Sequence, residues 1–189
     1  MKNLTSVSLC AVALAALGLS ACSSMGGGQM ASMTPFSQAA LPDVVKVPAG
    51  NRVAMETIGA GDITYECRAK KDMADQFEWV FVGPDAALTD RTGKRIGRYF
   101  GPPATWESMD GSKVTGAQLA VSPAGAANIP LQLVKANPAM GAGSMQGVTY
   151  IQRVATQGGV APAATCAATS MGQKQIVNYQ ADYIFWRAS

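Results

Sequence analysis

Val177-Asn178-Tyr179-Gln180-Ala181-Asp182-Tyr183-Ile184-Phe185 sets Val177, Tyr179, Ala181, Tyr183 and Phe185 on one side of the chain and Asn178, Gln180 and Asp182 on the other. A period of two belongs to an extended chain with one face in a core, because successive side chains of a strand point to opposite faces of its sheet. Large rings facing inward at this density predict a central strand. The same alternation recurs upstream, where Ile63, Tyr65, Cys67 and Ala69 interleave with Thr64, Glu66, Arg68 and Lys70. Phe77-Glu78-Trp79-Val80-Phe81-Val82 and Val148-Thr149-Tyr150-Ile151-Gln152-Arg153-Val154 are rich in β-branched and aromatic residues and predict two more strands.

Turn signals separate these runs: Pro48-Ala49-Gly50-Asn51, Gly59-Ala60-Gly61-Asp62, Thr92-Gly93-Lys94, Asp110-Gly111-Ser112 and Gly158-Gly159. Their short spacing predicts hairpins joining antiparallel strands, and no long stretch combines a helical period with caps. Residues 123–130, Ala-rich between two prolines, predict a loop or a short helical turn. The fold class is therefore all-β: one antiparallel, sandwich or barrel-like domain over residues 42–189.

The N-terminus has a different character. Lys2 precedes an apolar run over residues 7–19. A membrane-spanning helix needs about 20 apolar residues, so this run is too short to span and reads as an export signal. It stops at Leu19-Ser20-Ala21-Cys22, which resembles the lipobox of bacterial lipoproteins. The resemblance implies removal of residues 1–21 as a signal peptide, a diacylglyceryl group on the Cys22 thiol, and acylation, as with palmitate, of the new amine. Several acyl chains hold a protein on a membrane far better than one. Ser23 in place of Asp implies, by the same resemblance, sorting to the outer membrane with the domain facing the periplasm. Residues 22–41, rich in Gly, Ser, Ala and Met and almost uncharged, read as a flexible tether. Met25, Met30 and Met33 there read as spacer residues rather than soft copper ligands.

Cysteines divide by compartment. Cys10 leaves with the signal and Cys22 takes lipid, so Cys67 and Cys166 are the two thiols left to the domain. An oxidising periplasm favours a Cys67–Cys166 disulfide; two separate buried thiols are the alternative. Neither belongs to a C-x-x-C pair, which argues against redox activity. Of the 15 Lys and Arg, loss of Lys2 leaves 14 against 12 acidic residues, and no basic stripe emerges to bind nucleic acid. The chain contains no His. That excludes Ser-His-Asp and Cys-His triads and removes the commonest metal ligand, so neither metal nor cofactor is expected.

What remains is carboxylate chemistry and aromatic binding. Residues 98–112 gather Arg98, Tyr99, Trp106, Glu107 and Asp110 in a Pro/Gly-rich stretch that reads as a pocket-forming loop. Trp106 can stack on a sugar or another planar ligand while Glu107 and Asp110 accept its hydrogen bonds. The same two carboxylates are the candidate pair for a hydrolase. Otherwise Trp106 plugs the end of a β core and Asp110-Gly111 closes a hairpin. Arg153 lies in an apolar strand, and a buried Arg requires a carboxylate, for which Glu107 or Asp182 is expected.

Val47-Pro48-Ala49-Gly50, Gly101-Pro102 followed by Thr105-Trp106-Glu107, Asp110-Gly111-Ser112-Lys113-Val114, the 148–154 run, Thr156-Gln157-Gly158-Gly159 and Tyr179-Gln180-Ala181-Asp182-Tyr183-Ile184-Phe185 occur in that order. Together they resemble the family of domain of unknown function 3455, found in exported bacterial and fungal proteins, over roughly residues 42–186. Cys67 and Cys166 match that family's Cys pair. Tyr99 stands where the pattern often has His, so no His-dependent activity carries over. The expected function is a non-enzymatic binding or interaction lipoprotein, taking a small molecule, a glycan or an envelope protein, with Tyr99, Trp106, Glu107, Asp110 and Arg153 as candidate ligand-binding residues. The alternatives are a hydrolase using Glu107 and Asp110, and a purely structural envelope protein.

Overall fold

The computed structural model describes residues 34–189. The signal over residues 1–21, the lipidation site Cys22 and residues 22–33 of the tether lie outside the described residues. Eight strands follow in sequence: β1 Asn51–Lys70, β2 Met73–Thr89, β3 Arg95–Phe100, β4 Thr105–Ser108, β5 Lys113–Ser122, β6 Leu131–Ala136, β7 Val148–Gly158 and β8 Lys174–Ala188. Each pairs antiparallel with the next, and β8 closes on β1 from Asn51 opposite Ala188 to Glu66 opposite Lys174. The result is a closed up-and-down barrel. Closure satisfies the backbone groups that an open sheet would leave at its edges. The only helical elements among the described residues are two 3-10 turns, Asp43–Val45 and Ala168–Ser170.

The alternation in β8 has the predicted outcome. Tyr179, Ala181, Tyr183 and Phe185 are buried in the lumen with Ile63, Tyr65, Leu88, Tyr99, Trp106 and Ile151. Burial of one such side chain stabilises the fold by roughly 1.5–3 kcal/mol, so the rings of β8 are a main part of the core. The strand is central, hydrogen-bonded to β1 on one side and β7 on the other. Its outward residues Ile184 and Trp186 are buried as well, because residues 35–47 lie across the outside of the barrel there with Phe36, Leu41, Val45 and Val47. Gln152 fixes this strap: fully buried on β7, it donates to the carbonyl of Val45 at 2.7 Å and to Gln38 at 3.1 Å, and accepts from the Trp186 indole at 2.9 Å. The compact unit thus begins at Pro35, and residues 36–41, assigned to the tether from composition, are packed against it.

Gly59-Ala60-Gly61-Asp62 is not a turn. β1 runs straight through it. Its glycines make room: a Cβ on Gly59 would stand 2.5 Å from the Tyr183 ring, and one on Gly61 would meet the backbone of Asp85 and Ala86. Gly158-Gly159 likewise continues β7 into its connection rather than closing a hairpin. Residues 98–112 form no open loop but the β3–β4 hairpin and the following turn, with only residues 101–104 outside strands before Ser108. Residues 123–130 are a loop, as expected.

Cys67 and Cys166 are joined by a disulfide, with Cα atoms 5.5 Å apart. It staples the long connection between β7 and β8 to β1. The Trp79 indole, across from Cys67 on β2, donates to the carbonyl of Ala164 in the same connection at 2.6 Å.

Candidate functional site

One end of the barrel is closed and the other is cupped. At the closed end Met145, from the connection between β6 and β7, is buried with Val114, Val148 and Phe185. Asp110 holds that connection in place. Its carboxylate accepts from the Ser112 hydroxyl and amide at 2.5 and 2.9 Å and from the Ser144 hydroxyl and amide at 2.6 and 2.7 Å. The Ser112 hydroxyl in turn accepts from the Met145 amide at 3.1 Å. Four donors on one carboxylate, the Ser112 hydroxyl foremost, hold its pKa far below the ordinary carboxylate range. Asp110 is a structural anchor at the β4–β5 turn.

Glu107 faces outward from β4. It is paired with Lys113 at 3.0 Å and with Arg98 at 2.6 Å, and these two contacts, Lys113 first, lower its pKa. It borders a shallow outer hollow with Arg95, Arg98 and Met109, and Asp110 is not part of that wall. A glycosidase-type pair needs two carboxyl groups flanking one bond, with one of them kept protonated by a raised pKa. Glu107 and Asp110 meet neither condition.

At the other end the lumen opens into a cavity of about 370 Å³. Its wall is built by strand alternation from six strands. Trp106 comes from β4 and Tyr99 from β3, paired directly across the hairpin. Gly116 and Gln118 come from β5, Gln132 and Val134 from β6, and Arg153 from β7. Phe81 stands at the rim from β2, 51% exposed, with its ring edge-on to Tyr65 at 6.0 Å. Tyr99 and Trp106 line its floor and pack on the fully buried Tyr183, the three ring centroids standing 4.7, 5.0 and 5.9 Å apart. That cluster blocks the lumen, so the cavity is a cup and not a tunnel.

Three of the sequence candidates, Tyr99, Trp106 and Arg153, therefore line one cavity, while Glu107 and Asp110 lie elsewhere. Trp106 is 1% exposed and stacked on Tyr99 with planes 19° apart. Such a ring offers no open face as a sugar platform. Its indole N–H, however, is buried with no acceptor among the described residues. An unsatisfied buried donor costs about 1–3 kcal/mol.

Arg153 does not pair with Glu107 or Asp182 as expected. Asp182 is bound by Arg91 at 2.9 Å, with Glu56 beside it, and Glu107 by Arg98 and Lys113. Inward orientation on β7 takes the guanidinium away from both. It donates instead to the carbonyl of Pro130, from Nε at 3.2 Å and from one terminal nitrogen at 3.0 Å. Among the described residues no carboxylate forms an ion pair with it. Burial pushes the hydroxyls of Tyr65, Tyr99, Tyr179 and Tyr183 to higher pKa, and the positive charge of Arg153 opposes that rise at all four. The phenols stay neutral and remain donors.

Phe81, Gln118 and Gln132 escaped the sequence reading. A signal for two of them exists: counting by twos from Val114 puts Gly116 and Gln118 on the inner face, and counting back from Val134 puts Gln132 there. The Gln132 side chain donates to that of Gln118 at 2.6 Å, so the two amides form one polar edge of the mouth. A larger, open hollow of about 480 Å³ on the outer face, bordered by Gly61, Gln157 and Asn178, contains no charged side chain and no orphaned donor.

Residues 48–187 match the family model described as Protein of unknown function (DUF3455), and the chain belongs to that family. No curated protein and no solved structure matches the chain.

Proposed function

We propose that this member of the DUF3455 family is an exported, lipid-anchored binding protein that holds a small molecule in the cup at the open end of its barrel. One observation carries the binding reading: among the described residues, a half-buried Arg153 that pairs with no carboxylate lines a cavity of about 370 Å³ beside aromatic side chains. Binding sites commonly combine aromatic walls with a few unpaired polar groups, and a cavity of about 300 Å³ or more is large enough for a small ligand. Neither carboxylate of the hydrolase alternative reaches the cup, which favours binding over catalysis.

The attachment rests on Leu19-Ser20-Ala21-Cys22. Lipid on Cys22 holds the protein to the outer membrane, facing the periplasm, and the following segment spaces the barrel from the bilayer. Two experiments test these halves separately. Cys22→Ser should move the protein from the membrane fraction to the soluble one, and unchanged fractionation would remove the anchor. A thermal-shift screen of aromatic acids, neutral aromatics, sugars and peptides on the intact domain should raise the melting temperature for at least one class, since any ligand of the native state alone stabilises it. No shift with any class at millimolar concentration would overturn the binding reading.

A further inference from the structure

The occupant's chemistry is written in what the cup lacks as much as in what lines it. Among the described residues Arg153 is the one charged side chain on the wall. Two of its donors are spent on the Pro130 carbonyl, which fixes the guanidinium plane and leaves the remaining N–H groups of the fork unassigned. A guanidinium without a counter-charge, bordered by a low-dielectric aromatic wall, selects for an anion, and its planar fork matches a carboxylate. Beneath the wall the buried Trp106 N–H has no acceptor among the described residues. Among the described residues no acidic side chain lines the cup to repel an anion.

Shape narrows the class further. The floor of Tyr99, Trp106 and Tyr183 stops a long acyl chain from threading the lumen. Phe81 at the rim, half exposed, provides a wall for a flat apolar body, to which an aromatic ring packs in offset or edge-on contact. The Gln118–Gln132 edge retains an amide N–H₂ and a carbonyl for a polar substituent at the mouth.

We propose that the cup binds a small aromatic carboxylate, its acid group on Arg153 and its ring against Phe81 at the rim. This assignment rests on the binding reading of the cup and specifies its ligand class. The acid enters already ionised at neutral pH, so binding needs no proton transfer and should weaken as salt rises, by screening of the Arg153–carboxylate attraction.

The test compares 4-hydroxybenzoate with its neutral amide, 4-hydroxybenzamide, by calorimetric titration of the intact domain. The two share a ring and differ in charge. The acid should bind at least about tenfold more tightly, the scale expected of a charge-assisted pair at a partly desolvated site. Arg153→Gln should erase that preference, and Arg153→Lys, which keeps the charge and loses the fork, should restore part of it. Circular dichroism and melting temperature of each variant establish that the barrel is intact. Equal affinity for acid and amide, or an acid preference that survives in Arg153→Gln, overturns the carboxylate assignment while leaving the cup a binding site. Binding of sugars or peptides but of neither aromatic probe overturns it as well. Failure of every class in the thermal-shift screen removes the site itself.

Discussion

Replacing Cys67 and Cys166 together by Ala removes a bridge that spans 99 residues of sequence. On the chain-entropy description, a cross-link closing a loop of about 100 residues raises the free energy of the unfolded chain by about 4.7 kcal/mol. Local structure around the bridge should survive its loss. The Cys67 amide still donates to the Gln173 carbonyl at 2.9 Å, the Gly172 amide to the Cys67 carbonyl at 2.8 Å, and the Trp79 indole to Ala164. Alanine avoids placing a hydroxyl at the fully buried Cys67 position. The assay is equilibrium urea unfolding without reductant, followed by tryptophan emission. With a urea slope of roughly 2 kcal/mol/M, a loss of 3–5 kcal/mol lowers the midpoint by roughly 2 M. Wild-type protein treated with reductant should unfold near the variant. A midpoint shift below roughly 0.5 M at unchanged slope would refute the reasoning, because it would mean that the unfolded chain gains little freedom when this link is absent.

Three further substitutions probe separate parts of the barrel. Gly59→Ala drives a methyl to 2.5 Å from the buried Tyr183 ring, so we expect about 1–3 kcal/mol of destabilisation by urea unfolding; a neutral result would show that the ring moves freely. Asp110 titrates below its unfolded value, so its contribution is complete above the ordinary Asp pKa of about 3.9 and is lost as pH falls below that toward the folded value. Melting temperature followed from pH 7 down should therefore fall more steeply in wild type than in Asp110→Ala under acid, and parallel curves would contradict the anchoring role. Gln152→Leu leaves the Trp186 indole and the Val45 carbonyl without partners, at about 1–3 kcal/mol for each buried group. Limited proteolysis should then cut within residues 35–47 much faster than in wild type, and unchanged cleavage would mean that apolar packing alone holds the strap.

Much of the barrel is legible in period-two alternation, and the places where legibility ends have physical reasons. β8 announces itself because its inward face carries three large rings. β1 announces only its second half, from Ile63 on, because its middle is Gly59-Ala60-Gly61: those glycines look like a turn in isolation and are explained only by the Tyr183 ring and the Ala86 backbone that lie against them. Closure into a barrel rather than a sandwich depends on β1 pairing with β8, a contact between opposite ends of the domain that no local signal specifies. For the site, residue type alone groups Trp106, Glu107 and Asp110, whereas strand alternation separates them. Trp106 points into the lumen, Glu107 away from it, and Asp110 sits beyond the strand in a turn. Arg153 illustrates the converse. Its half-buried setting is legible from its apolar neighbours, but its lack of a carboxylate depends on Arg91, Arg98 and Lys113 having engaged Asp182 and Glu107.

Indole N–H resonances give the most direct view of the cup. The domain has three tryptophans, of which Trp79 and Trp186 already donate to Ala164 and Gln152, while Trp106, on the cup's wall, has no acceptor among the described residues. A nitrogen–proton spectrum recorded during titration with 4-hydroxybenzoate should move the Trp106 indole signal, leave that of Trp186 in place, and require a higher ligand concentration for the same movement in Arg153→Gln. A ligand that shifts Trp186 alone, or one that stabilises the domain while the Trp106 signal stays fixed, would place binding outside the cup.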